Sequence, residues 1–124
     1  MITGVVKYDE ARIRLKVRGR QGRELEVELV VDTGYSGALT LPPALISTLG
    51  LRWRSVDRAT LAEGSICIFQ VYEGKLDRDG KARTILIDEA DADPLLGMRL
   101  LRGHELRMQV RARGKVIVKR LPST

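Results

Sequence analysis

Apolar and polar positions alternate along much of this chain, and that period of two marks strands rather than helices. Within residues 12–17, Ile13, Leu15 and Val17 fall on one face and Arg12, Arg14 and Lys16 on the other. Beyond a polar turn at 19–23, Leu25, Val27 and Leu29 alternate with Glu24, Glu26 and Glu28 and face inward. The two runs predict a hairpin that sets Arg18 against Glu24, Lys16 against Glu26 and Arg14 against Glu28. Further short strands are predicted at residues 2–7, 38–41, 58–62, 65–71, 74–76, 83–87, 105–110 and 115–121, with tight turns at Glu63-Gly64 and Asp79-Gly80. Pro42-Pro43 opens a helix over residues 44–49 that Gly50 closes, the usual order of proline at the start and glycine at the end. The sum is an all-β chain, one domain over residues 1–124, built as a small closed, Greek-key-like barrel with one or two short helices.

One strand end carries chemistry. Val30-Val31 runs directly into Asp32-Thr33-Gly34, which holds a carboxylate at the margin of a low-dielectric core, where burial and a second carboxylate can tune it. Later, Leu95-Leu96 precedes Gly97 and a short amphipathic helical turn at 98–102. In this order and spacing the two segments resemble the retropepsin-like (retroviral-type, clan AA) aspartic proteases, whose domain runs strand, Asp-Thr-Gly, flap hairpin, aliphatic-aliphatic-Gly, short helix, closing strand. The resemblance covers residues 11–110.

The resemblance implies an aspartic endopeptidase with Asp32, Thr33 and Gly34 as its catalytic triplet. It makes Asp32 the catalytic carboxylate, has Thr33 hydrogen-bond across a dimer, and lets Gly34 admit the substrate backbone. The hairpin at Leu61, Ala62, Glu63, Gly64, Ser65 and Ile66 takes the flap position, and Tyr35, Ser36, Leu95 and Leu96 belong to the cleft. Hydrolysis by this route needs two carboxylates sharing a proton, since like charges about 3 Å apart cannot both ionise. With one Asp-Thr-Gly per chain, the second Asp32 must come from a second copy, so a homodimer acting on a peptide or protein substrate is expected. Tyr35 stands where the family usually has a small residue, Ser36 where it has an acid, and Met98 where it has arginine. The acid and arginine positions form an ion pair in the family, so losing both strands no buried charge. A catalytically silent dimer of the same fold that binds peptides or acts as a scaffold is the second reading, and a basic β-barrel binding nucleic acid the third.

Composition trims the alternatives. The formal net charge of +6 raises the question of nucleic acid. The predicted hairpin pairs Arg14, Lys16 and Arg18 with glutamates, however, and aromatics make up only 4% of the chain, too few for stacking platforms. Nucleic acid is therefore not the expected partner, although the later group Arg107, Arg111, Arg113, Lys115, Lys119 and Arg120 lies among few acids and stays open. His104 is the only histidine, so no histidine pair can build a zinc site, and residues 88–93 lack the central glycine of a calcium loop and read as a solvated acidic loop. No metal and no cofactor is expected. Cys67 is the single cysteine, flanked by Ile66 and Ile68, and is expected to be a buried structural thiol; Trp53 is expected in the core or on the dimer surface, and His104 as a structural residue at a strand start. No apolar run reaches membrane-spanning length and the first residues lack a signal-peptide pattern, so a cytoplasmic protein without membrane contact is expected.

Overall fold

The computed structural model describes residues 1–78 and 80–123. Ten strands and two short helices follow in the order β1 (Ile2–Lys7), β2 (Glu10–Arg18), β3 (Glu24–Val31), β4 (Leu39–Leu41), α1 (Pro43–Leu49), β5 (Arg52–Thr60), β6 (Ile66–Arg78), β7 (Lys81–Glu89), β8 (Leu95–Leu96), α2 (Met98–Leu101), β9 (His104–Met108) and β10 (Lys115–Arg120). Among the described residues no helix is long and apolar enough to cross a membrane.

The first hairpin forms in the expected register, with Arg14 opposite Glu28, Lys16 opposite Glu26 and Arg18 opposite Glu24. The ion pairs lean diagonally across it, from Arg14 to Glu26 at 3.6 Å and from Lys16 to Glu24 at 3.6 Å. These exposed pairs stabilise little singly, about 0.2–1 kcal/mol each. Their main effect is to cancel the basic stripe. On the opposite face Ala11, Ile13, Val17, Val27 and Leu29 are buried and join Leu39, Leu41, Leu49, Ile87 and Leu96 in one core. Helix α1 packs Ile46 and Leu49 onto it, starting at Pro42-Pro43 and ending where Gly50 turns left-handed at φ 59°.

Sheet order is β5-β6-β7-β4-β8-β3-β2-β1-β10-β9, and β6 also pairs with β2 through Val17–Leu76 and Arg18–Lys75. Six strands, β2, β3, β8, β4, β7 and β6, are therefore each hydrogen-bonded to two others of that set. Two pairings are parallel, β3 with β8 and β4 with β7. The first exists because the chain leaves β3 after Val31 and returns much later with residues 95–96, which slot between β3 and β4; the second pairs residues 39–41 with residues 87–89.

Several expectations are corrected. The segments at 65–71 and 74–76 are one strand of 13 residues, β6, paired first with β5 and then with β7. Gly74 does not interrupt it; a Cβ there would come within 2.6 Å of Ile87 Cδ1, so glycine is what allows the strand to close onto the core. Strand β5 begins at Arg52 rather than Arg58, with an irregularity between Trp53 and Ser55. Trp53, its Nε1–H donating to Gln70 Oε1 at 2.7 Å, is exposed, which rules out the core and leaves the dimer-surface alternative standing. Cys67 is exposed, because the β5–β6 hairpin extends beyond the core and its flanking Ile66 and Ile68 are 60% and 69% exposed. Asp79 of the expected Asp79-Gly80 turn lies outside the described residues; Gly80 has φ 77°. His104 starts β9 as expected.

Candidate active site

Asp32 follows the last residue of β3 and is pinned by backbone bonds to the returning segment. Its N–H donates to the Leu96 carbonyl at 2.9 Å, two residues after Val30 N–H donates to Pro94 at 2.9 Å. Beyond the triplet the same segment holds the loop from its other side: Gly97 N–H donates to Ala38 at 2.9 Å, Met98 N–H to Tyr35 at 2.8 Å and Arg99 N–H to Gly37 at 3.1 Å. Both arms of the Asp32 loop are thus fastened to residues 94–99. Within the loop, Gly34 N–H donates to Asp32 Oδ1 at 2.9 Å and Tyr35 N–H to the Asp32 carbonyl at 3.2 Å. An N–H aimed at a carboxylate oxygen fixes the side chain's orientation. Asp32 is half-buried; Thr33 and Gly34 are exposed.

Tyr35 lies where the loop meets β7. Its ring covers Gly37 and Gly97, at which an added Cβ would fall 2.4 Å and 2.5 Å from Tyr35 atoms. Its hydroxyl donates to Asp88 Oδ2 at 2.5 Å, with the Leu39 carbonyl at 3.3 Å. Burial, reinforced by the hydrogen bond to Asp88, holds the Tyr35 phenol far above its usual range. Asp88 is also raised, first by burial and then by the Asp57 carboxylate, against the opposing influence of Tyr35 and Arg99. Asp88 is therefore not part of a solvated loop: it belongs to β7, half-buried and partnered. The sequence reading missed it because a run of acids looks solvated until the strand's faces are known.

The carboxyl of Asp88 binds its proton more tightly folded than unfolded. Its contribution to stability is fully present at acid pH and is lost as pH rises through the elevated value. Asp88→Asn, which can still accept from Tyr35, is expected to flatten the fall in melting temperature between pH 4 and 7. A thermal-melt series across that range checks it, and a profile parallel to wild type would show that Asp88 is not the group responsible.

Between the β5–β6 hairpin and the body runs a cleft of about 760 Å³. Its wall begins with Tyr35, Ser36 and Gly37, continues to Asp88 and Arg99, and is roofed by Asp57, Ala59, Cys67 and Phe69 from the hairpin. The roof follows from register. Asp57 pairs with Phe69 and Ala59 with Cys67, so these four share the hairpin's inner face.

The expected site residues divide into groups. Asp32, Thr33 and Gly34 lie together but do not line the cleft, whereas Tyr35 and Ser36, next in the chain, do. Leu61, Ala62, Glu63, Gly64, Ser65 and Ile66 form the exposed hairpin tip, closed by Leu61 N–H to Ser65 at 2.8 Å and Gly64 N–H to Leu61 at 2.9 Å, with Gly64 at φ 94°. Leu96 is 2% exposed and Leu95 half-buried, so they serve Asp32 through their backbone and the core rather than by presenting side chains to the cleft. Asp57, Cys67, Phe69 and Arg99 line the cleft without having been singled out for it. Strand alternation would have found the first three, had the start and register of β5 been known.

Comparison with known proteins adds no relative: no protein-family model matches the chain, and no curated sequence does.

Proposed function

We propose that this chain is an aspartic endopeptidase of retropepsin-like type, working as a homodimer in which two Asp32 carboxylates form the dyad. The observation that carries the reading is the double fastening of the Asp32 loop by residues 94–99, which joins the Asp-Thr-Gly and Leu-Leu-Gly segments into one rigid unit. The ring of pairings through β2, β3, β8, β4, β7 and β6 supports a small closed barrel as its frame. The adjoining cleft and its projecting hairpin supply room for an extended peptide and a flap to cover it.

In this mechanism one Asp32 is ionised and takes a proton from water. The water oxygen adds to the carbonyl carbon of the scissile peptide as the partner's protonated Asp32 donates to the carbonyl oxygen. The C–N bond then breaks as the dyad returns a proton to the leaving amine, and the proton state belongs to the pair. Gly34 N–H, bonded to Asp32 Oδ1, orients the carboxylate so that Oδ2 is left for the partner and the water. A digest of a peptide library by wild type and by Asp32→Asn tests the reading. Cleavage by the first alone supports it. Cleavage by both removes Asp32 from the chemistry, and cleavage by neither favours the silent peptide-binding dimer.

The hairpin tip offers a separate test. Gly64 has open space around it, so Gly64→Val is opposed only by its left-handed backbone, a penalty of about 1–2 kcal/mol at an exposed tip. Peptide turnover is expected to fall at least tenfold while the melting temperature moves by a few degrees. Unchanged turnover with a lowered melting temperature would make the hairpin purely structural.

A further inference from the structure

The excess positive charge is confined to one part of the chain. Residues 98–124 hold eight of the 22 basic residues and one of the 16 acidic ones, a net +7, so residues 1–97 sum to −1. On β2 the basic side chains are matched: Arg12, Arg14, Lys16 and Arg18 each have a carboxylate within 3.6 Å. The β9–β10 hairpin differs. Val116 and Val118 point into the core, so Lys115 and Lys119 point outward, and the register adds Arg107 and Glu105 to that outer face. Glu105, 3.8 Å from Arg107, is the one acid of residues 98–124.

The connecting loop adds exposed Arg111 and Arg113 on a fixed backbone. Arg113 N–H donates to Val6 at 3.0 Å, Val6 N–H to Gly114 at 2.9 Å and Gly114 N–H to Arg111 at 2.8 Å. A Cβ on Gly114 would come within 1.8 Å of the Gln109 carbonyl oxygen, so the loop needs glycine there to take this shape. Five cations and one acid thus give a net +4 on a rigid frame.

We infer that the β9–β10 hairpin and its loop form a docking face for the phosphate backbone of a nucleic-acid duplex, bound without regard to sequence. Three of the five cations are arginines, whose planar forks match phosphate oxygens two at a time. A duplex carries one charge per about 1.7 Å and releases counterions when such a face meets it. Residues 98–124 contain no Phe, Tyr or Trp, so the stacking grip used on single strands is missing. A lipid surface would call for a broader apolar face than Val110 at the loop and the half-buried Ile117, between Lys115 and Lys119, provide. This face and the cleft are built from different strands, so the inference stands whether or not the chain cleaves peptides.

Fluorescence anisotropy with a labelled DNA duplex of about 20 base pairs tests it. For four net charges the wild type is expected to show a log K against log salt slope near −3.6, roughly 150-fold weaker binding at 200 mM than at 50 mM salt. Arg111→Ser with Lys115→Ser should reduce the slope by about 2 and weaken binding at 50 mM salt at least tenfold. Arg14→Gln with Lys16→Gln, an equal charge loss on the matched stripe, should leave both unchanged. Equal weakening by the two double variants overturns the inference, because net charge alone would then explain binding. A wild-type slope shallower than −2, or tighter binding to phosphatidylserine vesicles or polyglutamate than to the duplex, overturns it too, and these wild-type readings decide even if a variant misfolds.

Discussion

Asp32→Asn is expected to lower peptide cleavage by at least about 10³-fold, the scale of losing general acid–base catalysis, while self-association near neutral pH stays as strong as in wild type or strengthens. Asparagine keeps the volume of the side chain and an oxygen for the Gly34 N–H bond, so the loop fastened by Leu96, Gly97 and Met98 has no reason to move. What it loses is the ability to share a proton. Two facing Asp32 carboxylates repel when both are charged, so wild type should associate least where both ionise, and the asparagine pair escapes that penalty. Sedimentation equilibrium from acid to neutral pH, beside rates on the same peptides, measures both effects. A variant that dissociates while wild type remains dimeric would make Asp32 a structural turn residue and end the protease reading.

The second large effect concerns stability. Gly97→Ala is expected to destabilise the fold by at least about 3 kcal/mol, the upper end of overpacking costs, or roughly 12 °C in melting temperature. The backbone at Gly97, φ −105° and ψ 178°, suits any residue, so strain is not the reason. Space is: the new methyl carbon would lie 2.2 Å from the Gly37 carbonyl oxygen and 2.7 Å from that of Tyr35. Neither can retreat without releasing the bonds from Arg99 and Met98 that fasten the Asp32 loop. Gly22→Ala provides the contrast, with φ 73° but nothing within 4 Å, and should cost only about 1 kcal/mol. Differential scanning calorimetry of both variants checks the ranking; similar small losses would mean that the 94–99 contact is loose.

Much of this was legible in the sequence. Alternation in residues 12–31 gave the first hairpin and its register, because a one-residue slip would turn Ile13, Val17, Val27 and Leu29 out to solvent. Proline and glycine fixed both ends of α1 for reasons local to those residues. The β5–β6 hairpin was harder. All nine residues of β5 are exposed, so no hydrophobic face announces its start at Arg52, and an exposed strand likewise leaves Cys67 in the cleft roof rather than in the core. Residues 88–93 misled for the opposite reason: an acidic run reads as solvated, yet Asp88 is the last residue but one of β7, half-buried on the face opposite core-facing Ile87, and accepts from the Tyr35 hydroxyl. The parallel pairing of residues 95–96 with Val30 and Val31 joins segments 65 residues apart, beyond the reach of any local pattern. Only the resemblance of the two segments to a known arrangement suggested that they belong together.

The central claim is that two Asp32 carboxylates, one from each of two copies, act as one catalytic unit. Mixing wild type with Asp32→Asn at constant total chain concentration, after subunit exchange, tests it most directly. Activity should fall as the square of the wild-type fraction, so that an equal mixture retains about one quarter, because only dimers with both aspartates share a proton as the mechanism requires. A linear fall, with half the activity left in the equal mixture, would mean that each chain works alone and would contradict the account.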